Sequence, residues 1–383
     1  MSTGVFEPPA AGRSANGSAS PAAPVPTAAA EPTTAPTSAD LVGPPTPPMT
    51  PDHLMRLGLG FTAAKVLLGA VEVGVFTELS ARGPLDAGAL GSALGLHARS
   101  ARDFFDTLVA LDLLDRADGR YVNTPTTEYF LDRDKPTYIG DALTMLDARL
   151  YGFWANLTEA LRTGSPQNEA AAGGDPYAGI YADPARRALF QRAMGQLSRP
   201  SIEALADRFG WEGYGSVADI GAGDGALVCH LAKRHPHLTG AAFDLPEAAA
   251  AVDAYVRAAG LRDRIRFWPG DFHDPAQALP SADVLVLGHV LHDWDLAAKR
   301  ALLAKAWAAL PVGGALVAFE AFPDDERRAN PIALLLGLNV LIETPAGAAC
   351  TIAQCRELVA EAGFRHIRAE PLAGPESMVI GVK

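Results

Sequence analysis

The second half of the chain alternates between short apolar stretches and helical stretches, and this alternation limits the folds available to it. Each apolar stretch is followed by a segment whose apolar residues have helical spacing. Repeats of this kind form a parallel sheet with helices on both faces. The sequence predicts a doubly wound α/β domain with strands at 216–221, 238–245, 265–271, 282–289 and 314–322 and helices at 225–235, 246–259 and 295–310.

The end of the chain predicts one exception to parallel pairing. After a helix near 351–362, the segments 366–372 and 377–383 are both typical of strands, and a short turn separates them. A connection of that length permits a hairpin, whereas parallel strands need a crossover of a dozen or more residues. We therefore expect the final strand to be antiparallel.

The first half of the chain has a different character. Residues 51–205 are predominantly helical, and 84–125 within them predict a helix, a turn, a second helix and a short β-wing. Residues 1–50 contain 11 Pro and 11 Ala with one aromatic residue, Phe6, so they cannot bury enough apolar area to offset their ordering entropy. We predict a disordered tail over 1–50, a helical winged-helix-like domain over 51–205 and the α/β domain over 206–383.

Composition excludes several classes of function and location. A net charge of −12 disfavours binding to nucleic acid or to anionic membranes. The three cysteines lack paired spacing, which fits a reducing cytoplasm. No apolar run approaches the roughly 20 residues that span a bilayer, and no secretory signal begins the chain. We expect a cytoplasmic protein that does not bind membranes.

The winged helix raises the alternative of a DNA-binding regulator. Its second helix, 97–115, would enter the major groove, but acidic side chains outnumber the basic ones there. A helix that contacts phosphates should not be net acidic, so DNA binding is disfavoured. The charged residues of that helix are Arg99, Arg102, Asp103, Asp106, Asp112 and Asp115.

The segment "DIGAGDGAL" (219–227) combines a strand end, a glycine-rich turn and a helix start. Gly221, Gly223 and Gly225 allow a ligand to approach the backbone closely. The spacing also satisfies a dinucleotide fingerprint, but a diphosphate would be repelled by Asp219 and Asp224. Two carboxylates suit a ligand with a cationic end, such as the ammonium and sulfonium groups of S-adenosyl-L-methionine.

Two further strands end in acids. Asp244 follows the second strand, at a position from which a carboxylate can accept from ribose hydroxyls. Asp271 and Phe272 follow the third strand, where an acid can meet an adenine amino group and a ring can stack on the base. Each acid alone could equally be a helix cap. Acids ending three successive strands at one sheet edge favour a nucleoside site.

"GHVLHDWD" (288–295) places two histidines and two aspartates after a buried strand. From the residues alone they could be metal ligands, a catalytic base with its helpers, or a polar cap. A neutral imidazole can take the proton of a phenol while the oxygen attacks a methyl group. Such a base needs an orienting carboxylate on its other ring nitrogen.

Together these segments resemble the class I S-adenosyl-L-methionine-dependent O-methyltransferases, in particular the dimerising group of caffeate and hydroxyindole O-methyltransferases and bacterial secondary-metabolite enzymes. The resemblance covers residues 51–383. The segments that carry it are "DIGAGDG", "FDLP", "GDF", "HVLHDWD", "FEAFPDDERR", "LNVLIETPAG" and "AGF".

The resemblance implies a Rossmann-like domain of seven strands with the last one antiparallel, and a homodimer formed through the winged-helix domain. It implies methyl transfer from S-adenosyl-L-methionine to a hydroxyl of a small-molecule acceptor, leaving S-adenosyl-L-homocysteine. His292 would be the general base, Glu320 its orienting acid, and Asp293 a further catalytic residue. Cofactor-binding positions would be Asp219, Gly221, Gly223, Gly225, Asp244, Leu245, Gly270, Asp271, Phe272 and His289, and acceptor-binding positions Trp154, Asn339 and Glu343.

One departure from the family pattern keeps alternatives open. The family often has a second acid after a "PGG" segment, but the matching position here is Ala349. A C-methyltransferase acting on a 2-oxo acid would instead hold a divalent metal, for which His292, Asp293 and Glu343 are the candidate ligands. A second alternative is a non-catalytic regulator that retains the cofactor.

Overall fold

The computed structural model of the protein describes residues 50–172 and 177–383, so the predicted tail lies almost entirely outside the described residues. Gly58–Lys383 form one compact unit. The domain boundaries at 50/51 and 205/206 and the cytoplasmic location stay predictions.

The C-terminal part begins with a long helix, and its sheet follows. The helices are α10 (Pro184–Arg208), α11 (Ala226–Arg234), α12 (Ala249–Ala258), α13 (Leu296–Ala309), α14 (Pro331–Glu343) and α15 (Ile352–Glu361). The strands are β4 (Ser216–Ile220), β5 (Thr239–Asp244), β6 (Ile265–Pro269), β7 (Val284–Gly288), β8 (Ala315–Glu320), β9 (Arg365–Pro371) and β10 (Ser377–Val382).

These strands form one seven-stranded sheet in the order β6-β5-β4-β7-β8-β10-β9. β4 to β8 pair in parallel, and β10 runs antiparallel between β8 and β9. The predicted doubly wound sheet with its antiparallel last strand is confirmed. Ser377 of β10 pairs with Glu320 at the end of β8.

Alternation along the central strands builds two cores, because successive side chains of a strand point to opposite faces. On one face Val284 and Val286 of β7 pack in a cluster with residues of α10, α11 and α12. On the other face Leu285 and Leu287 pack with residues of α13 and α15. The continuous run "VLVL" is therefore the sequence of a strand that is buried on both faces.

The N-terminal part consists of short elements around a small sheet. Its helices are α1 (Asp52–Val73), α2 (Val75–Arg82), α3 (Ala87–Ala93), α4 (Ala98–Ala110), α5 (Pro125–Phe130), α6 (Gly140–Met145), α7 (Tyr151–Trp154), α8 (Leu157–Thr163) and α9 (Ala178–Tyr181). Its strands are β1 (Leu85–Asp86), β2 (Leu114–Ala117) and β3 (Arg120–Asn123), and they pair antiparallel in the order β1-β3-β2. The predicted helix–turn–helix with a wing is present as α3, α4 and the β2–β3 hairpin.

Several predicted helices differ in extent. Within the region predicted to be helical, the apolar stretch 53–80 is divided at Gly74, which adopts a left-handed conformation. The expected helix 97–115 ends at Ala110, because Asp112 has a φ of +57° and Leu113 N–H bonds back to the Leu108 carbonyl. The stretch 149–164 is not one helix either: a π-helical turn at Leu146–Leu150 leads into α7, and α8 follows separately.

α1 is the one helix of the described ranges that is long and apolar enough to cross a membrane by length and composition. The sequence analysis considered only uninterrupted apolar runs, so it did not identify this helix as a candidate. The helix also carries charges, and Lys65 Nζ lies 2.6 Å from Asp147 Oδ1 in the π-helical turn. Leu59 and Phe61 are more than half exposed. The helix is thus tied to its own domain and presents an apolar surface.

Gly288 supplies a stability test, since it ends β7 directly against the buried ring of Phe319. A Cβ at position 288 would lie 2.4 Å from Phe319 Cζ. We expect Gly288→Ala to lower the free energy of unfolding by about 1–3 kcal/mol, measured by chemical denaturation. The matched control Gly213→Ala has open space around its Cβ and should change the value by less than about 0.5 kcal/mol. Equal stability of the two variants would contradict this packing.

Candidate active site

The glycine turn after β4 adopts the backbone conformation that its sequence predicts. Gly221, Gly223 and Gly225 have φ values of +81°, +59° and +82°. A Cβ on Gly221 would additionally lie 3.0 Å from the Val290 side chain. The left-handed backbone disfavours side chains at all three positions, and at Gly221 the Val290 side chain also leaves little room for one.

Three carboxylates converge at this turn. Asp244 Oδ2 accepts from Gly223 N–H at 2.7 Å, and Asp244 Oδ1 accepts from Leu245 N–H at 2.7 Å. Burial, with the neighbouring charges of Asp244 and Asp224, raises the pKa of Asp219 to about 8. Burial also raises the pKa of Asp224 and of Asp244 to about 6. Ionisation of these three carboxyl groups is therefore costly in the absence of a cationic ligand.

A cavity of about 470 Å³ opens beside these acids. All the predicted cofactor residues except Gly225 line it: Asp219, Gly221, Gly223, Asp244, Leu245, Gly270, Asp271, Phe272 and His289. Gly225 instead precedes α11 and packs towards Val252. The sheet topology explains the convergence, because the carboxyl ends of neighbouring parallel strands meet at one edge.

His292 lies in a short 3₁₀ turn after β7, and Glu320 ends the adjacent strand β8. The two residues are in direct contact: His292 Nδ1 lies 2.7 Å from Glu320 Oε2, which also accepts from the His292 backbone N–H at 3.3 Å. Both side chains are buried. With Nδ1–H donated to Glu320, the other ring nitrogen, Nε2, is left to accept a proton.

Asp293 faces that second nitrogen, with Oδ1 3.5 Å from His292 Nε2, and it lines the cavity. Burial would lower the pKa of His292, but the charges of Asp293 and Glu320 outweigh it and raise that pKa to about 9. For Glu320 the histidine outweighs burial and lowers the carboxyl pKa. For Asp293 burial prevails, and its pKa is raised.

His289 directly follows β7 in a strained conformation, with a φ of +56°. Its backbone N–H donates to the Phe319 carbonyl at 3.0 Å, and its Nε2 lies 3.4 Å from Glu376 Oε1. Burial lowers the pKa of this imidazole. His289 thus presents a neutral ring to the cavity.

The predicted acceptor residues lie together but do not line the cavity. Trp154 Nε1–H donates to Asn339 Oδ1 at 3.0 Å, and Asn339 Nδ2–H donates to Glu343 Oε2 at 2.7 Å. Glu343 Oε1 lies 3.4 Å from the buried guanidinium of Arg149. Glu343 is therefore engaged by Asn339 and Arg149, although its charge still acts on Asp293. Residues 50–172 and 177–383 contain no His, Cys, Asp and Glu group arranged to hold a metal.

Residues that the sequence did not assign complete the cavity. Tyr177, Tyr181 and Trp294 give it an aromatic side, joined by Phe190 and Met194 of α10. Where the family's second acid is absent, the next residue, Cys350, directs its thiol to Glu320 Oε1 at 3.9 Å. No local pattern reveals these contacts, because each joins segments distant in sequence.

Comparison with known proteins decides the family. A family model of the O-methyltransferase domain matches residues 154–365, and one of the O-methyltransferase dimerisation domain matches residues 55–133. The chain belongs to the O-methyltransferase family. It is an S-adenosyl-L-methionine-dependent O-methyltransferase of the secondary-metabolite type, and neither the C-methyltransferase nor the regulator alternative is supported.

Individual relatives of this O-methyltransferase cover nearly its whole described length. The tetracenomycin polyketide synthesis 8-O-methyl transferase TcmO of Streptomyces glaucescens is 38% identical over 335 residues, which are 87% of this chain and 97% of TcmO. The N,N-dimethyltransferase OxyT of Streptomyces rimosus is 39% identical over 319 residues, 83% of this chain and 91% of OxyT. Human N-acetylserotonin methyltransferase in complex with SAM superposes with a TM-score of 0.81 at 26% identity, covering 88% of this chain and 99% of the human one.

The raised pKa of His292 predicts a pH dependence of stability. The imidazole titrates near 6.5 in an unfolded chain and at about 9 in the folded protein. Its stabilising contribution is therefore full below pH 6.5 and is lost as pH rises through 9. We expect the difference in free energy of unfolding between the protein and its His292→Gln variant to shrink by up to about 3 kcal/mol across that window.

Denaturant titrations at pH 6 and pH 9.5 measure this difference. Substitution of the exposed His366 by Gln is the control, and its effect should not depend on pH in this way. A His292→Gln difference that stays constant from pH 6 to 9.5 would contradict the assigned ion pair.

Proposed function

We propose that the enzyme methylates a hydroxyl group of a small aromatic acceptor, with His292 as the general base. The observation that carries this proposal is the His292–Glu320 contact beside an acid-lined cavity. The aromatic character of the acceptor is supported by Tyr177, Phe190 and Trp294 on the cavity wall. It is also supported by relatives named for such acceptors: TcmO and a 3-hydroxy-5-methyl-1-naphthoate 3-O-methyltransferase, 33% identical.

The cavity residues fit S-adenosyl-L-methionine by charge. In the described parts of the chain, Asp219, Asp224 and Asp244 have no Lys, Arg or His partner within 4 Å, although burial makes their charge costly. A cationic ligand would supply the missing countercharge. Asp244 and Asp271 would accept from the nucleoside, and Phe272 would pack on the base. When bound, the cofactor supplies an electrophilic methyl group on a positively charged sulfur.

The chain's own contribution is to hold the base and to receive the proton. Glu320 fixes the ring of His292 through Nδ1–H, which leaves Nε2, beside the cavity-lining Asp293, to take the proton of the acceptor hydroxyl. Asp293 raises the affinity of that nitrogen for a proton. A cation bound among the nearby acids opposes protonation of His292, which favours the neutral form that the reaction requires.

Two substitutions separate proton transfer from cofactor binding. We expect His292→Gln to reduce kcat about 10²–10⁴-fold while the dissociation constant for S-adenosyl-L-methionine changes less than about threefold. We expect Asp244→Asn to raise that dissociation constant about 10–100-fold, because it removes carboxylate hydrogen bonds. Calorimetry and a labelled-methyl assay measure both quantities. Unchanged kcat in His292→Gln would remove the assignment of the base.

We further propose that the enzyme is a homodimer assembled through its dimerisation domain. The domain model covers residues 55–133, and α1 exposes apolar side chains within that range. An exposed apolar surface of this kind marks an interaction site in a soluble protein. A second copy of the chain is the occupant that the domain match supports.

Phe61→Glu tests the dimer. A charge on the exposed face of α1 should convert the dimer to monomer in sedimentation experiments, because a buried unpaired carboxylate is costly. Val312→Glu is the control, since Val312 is 92% exposed and lies outside the dimerisation domain. A wild-type protein that sediments as a monomer at micromolar concentration would refute the proposal.

A further inference from the structure

One short element to which the sequence analysis assigned no role reaches two of the site's carboxylates. Tyr177 directly precedes the one-turn helix α9, and Tyr181 ends it. The Tyr177 hydroxyl donates to Asp293 Oδ2. The Tyr181 side chain hydrogen-bonds Asp244, which partly offsets the rise in the pKa of that carboxyl caused by burial. The two tyrosines thus meet the acid next to the base and the acid proposed for the ribose.

The contact of Tyr177 extends a continuous series of interactions. Its hydroxyl contacts one oxygen of Asp293, while the other oxygen lies 3.5 Å from His292 Nε2. Glu320 holds the opposite ring nitrogen of His292 at 2.7 Å. The ring of Tyr177 packs edge-on against Phe190 and at a tilt against Trp294, at centroid distances of 6.1 and 6.2 Å. Hydroxyl and carboxylate are therefore held in a defined geometry.

We propose that Tyr177 is a positioning residue for methyl transfer: its hydroxyl holds the Asp293 carboxylate in the orientation from which that carboxylate acts on Nε2 of His292. The inference rests on the proposed role of His292 as base. A hydroxyl donor favours the charged form of a buried carboxylate. Without it, Asp293 loses both its orientation and a partner that stabilises its charge.

Other charged groups also face this pair and must be held constant in any test. Glu320 of β8 and His289, which follows β7, act on both His292 and Asp293. Lys299 of α13 acts on His292, and Glu343 of α14 acts on Asp293 and Tyr177. Each of these groups is retained when Tyr177 is substituted, and the double-mutant cycle with Asp293 isolates the contribution of the tyrosine hydroxyl.

The experiment is a double-mutant cycle read out by pH profiles of kcat at saturating S-adenosyl-L-methionine with a phenolic acceptor. Tyr177→Phe should move the acid limb about half to one pH unit lower, since a weaker negative charge on Asp293 lowers the pKa of His292. Asp293→Asn should move it in the same direction. In the Asp293→Asn background, Tyr177→Phe should add no further shift.

Tyr181→Phe is the matched control on the same helix. It should raise the dissociation constant for S-adenosyl-L-methionine and leave the acid limb in place. Tyr177→Met, which also lacks the hydroxyl, repeats the test if the Phe variant folds poorly. An unshifted acid limb in both Tyr177 variants, or an equal shift with and without Asp293, overturns the inference.

If His292→Gln is as active as the wild type, the proposed base itself is wrong. If His292→Gln is inactive and the acid limb of Tyr177→Phe is unshifted, only the role of Tyr177 fails.

Discussion

The arrangement of the site depends on three carboxyl groups beside one glycine turn, whose burial disfavours their negative charge. Asp219, Asp224 and Asp244 lie together at the ends of two adjacent strands and on the turn after one of them, with raised pKa values. Such an arrangement opposes folding unless backbone N–H groups or a ligand offset it. Asp244 obtains two backbone hydrogen bonds from the glycine turn and Leu245. The free-energy cost of ionising the other buried carboxyls favours a cationic ligand over a diphosphate. This difference separates a sulfonium cofactor from a dinucleotide.

The parallel sheet brings the second charged centre beside the first. β7 lies between β4 and β8, so the turn after β7 adjoins both the glycine turn and Glu320. His292 therefore meets Glu320 through sheet topology rather than through sequence proximity. Asp293 lines the acid-lined cavity and lies beside His292 from the other side. The proposed sites of the methyl donor and of the proton acceptor therefore lie at the ends of neighbouring strands of one sheet.

Local sequence patterns and the topology of a parallel sheet were sufficient to predict the strands and the acids at their ends. Strand ends such as those of β4 and β8 were located within two residues, because buried runs and following acids mark them. The convergence of Asp219, Asp244 and Asp271 followed from strand order alone. Tyr177 and Cys350 were not predicted as partners of Asp293 and Glu320, since tertiary packing rather than local pattern brings them there. Trp154, Asn339 and Glu343 form a network with Arg149 that the family resemblance did not indicate.

Ala349, at the position of the family's second acid, changes how His292, the proposed base, is held. A second acid near His292 would have raised its pKa further, yet Asp293 and Glu320 already bring it to about 9. Another carboxylate would make the neutral imidazole harder to populate at physiological pH. Here Glu320 instead accepts two N–H groups from His292 on one oxygen and the Cys350 thiol on the other. The Cys350 thiol contacts the carboxylate without adding charge. Under the proposed mechanism one acid, Glu320, orients the ring of His292, and no second orienting carboxylate raises the pKa of the imidazole further.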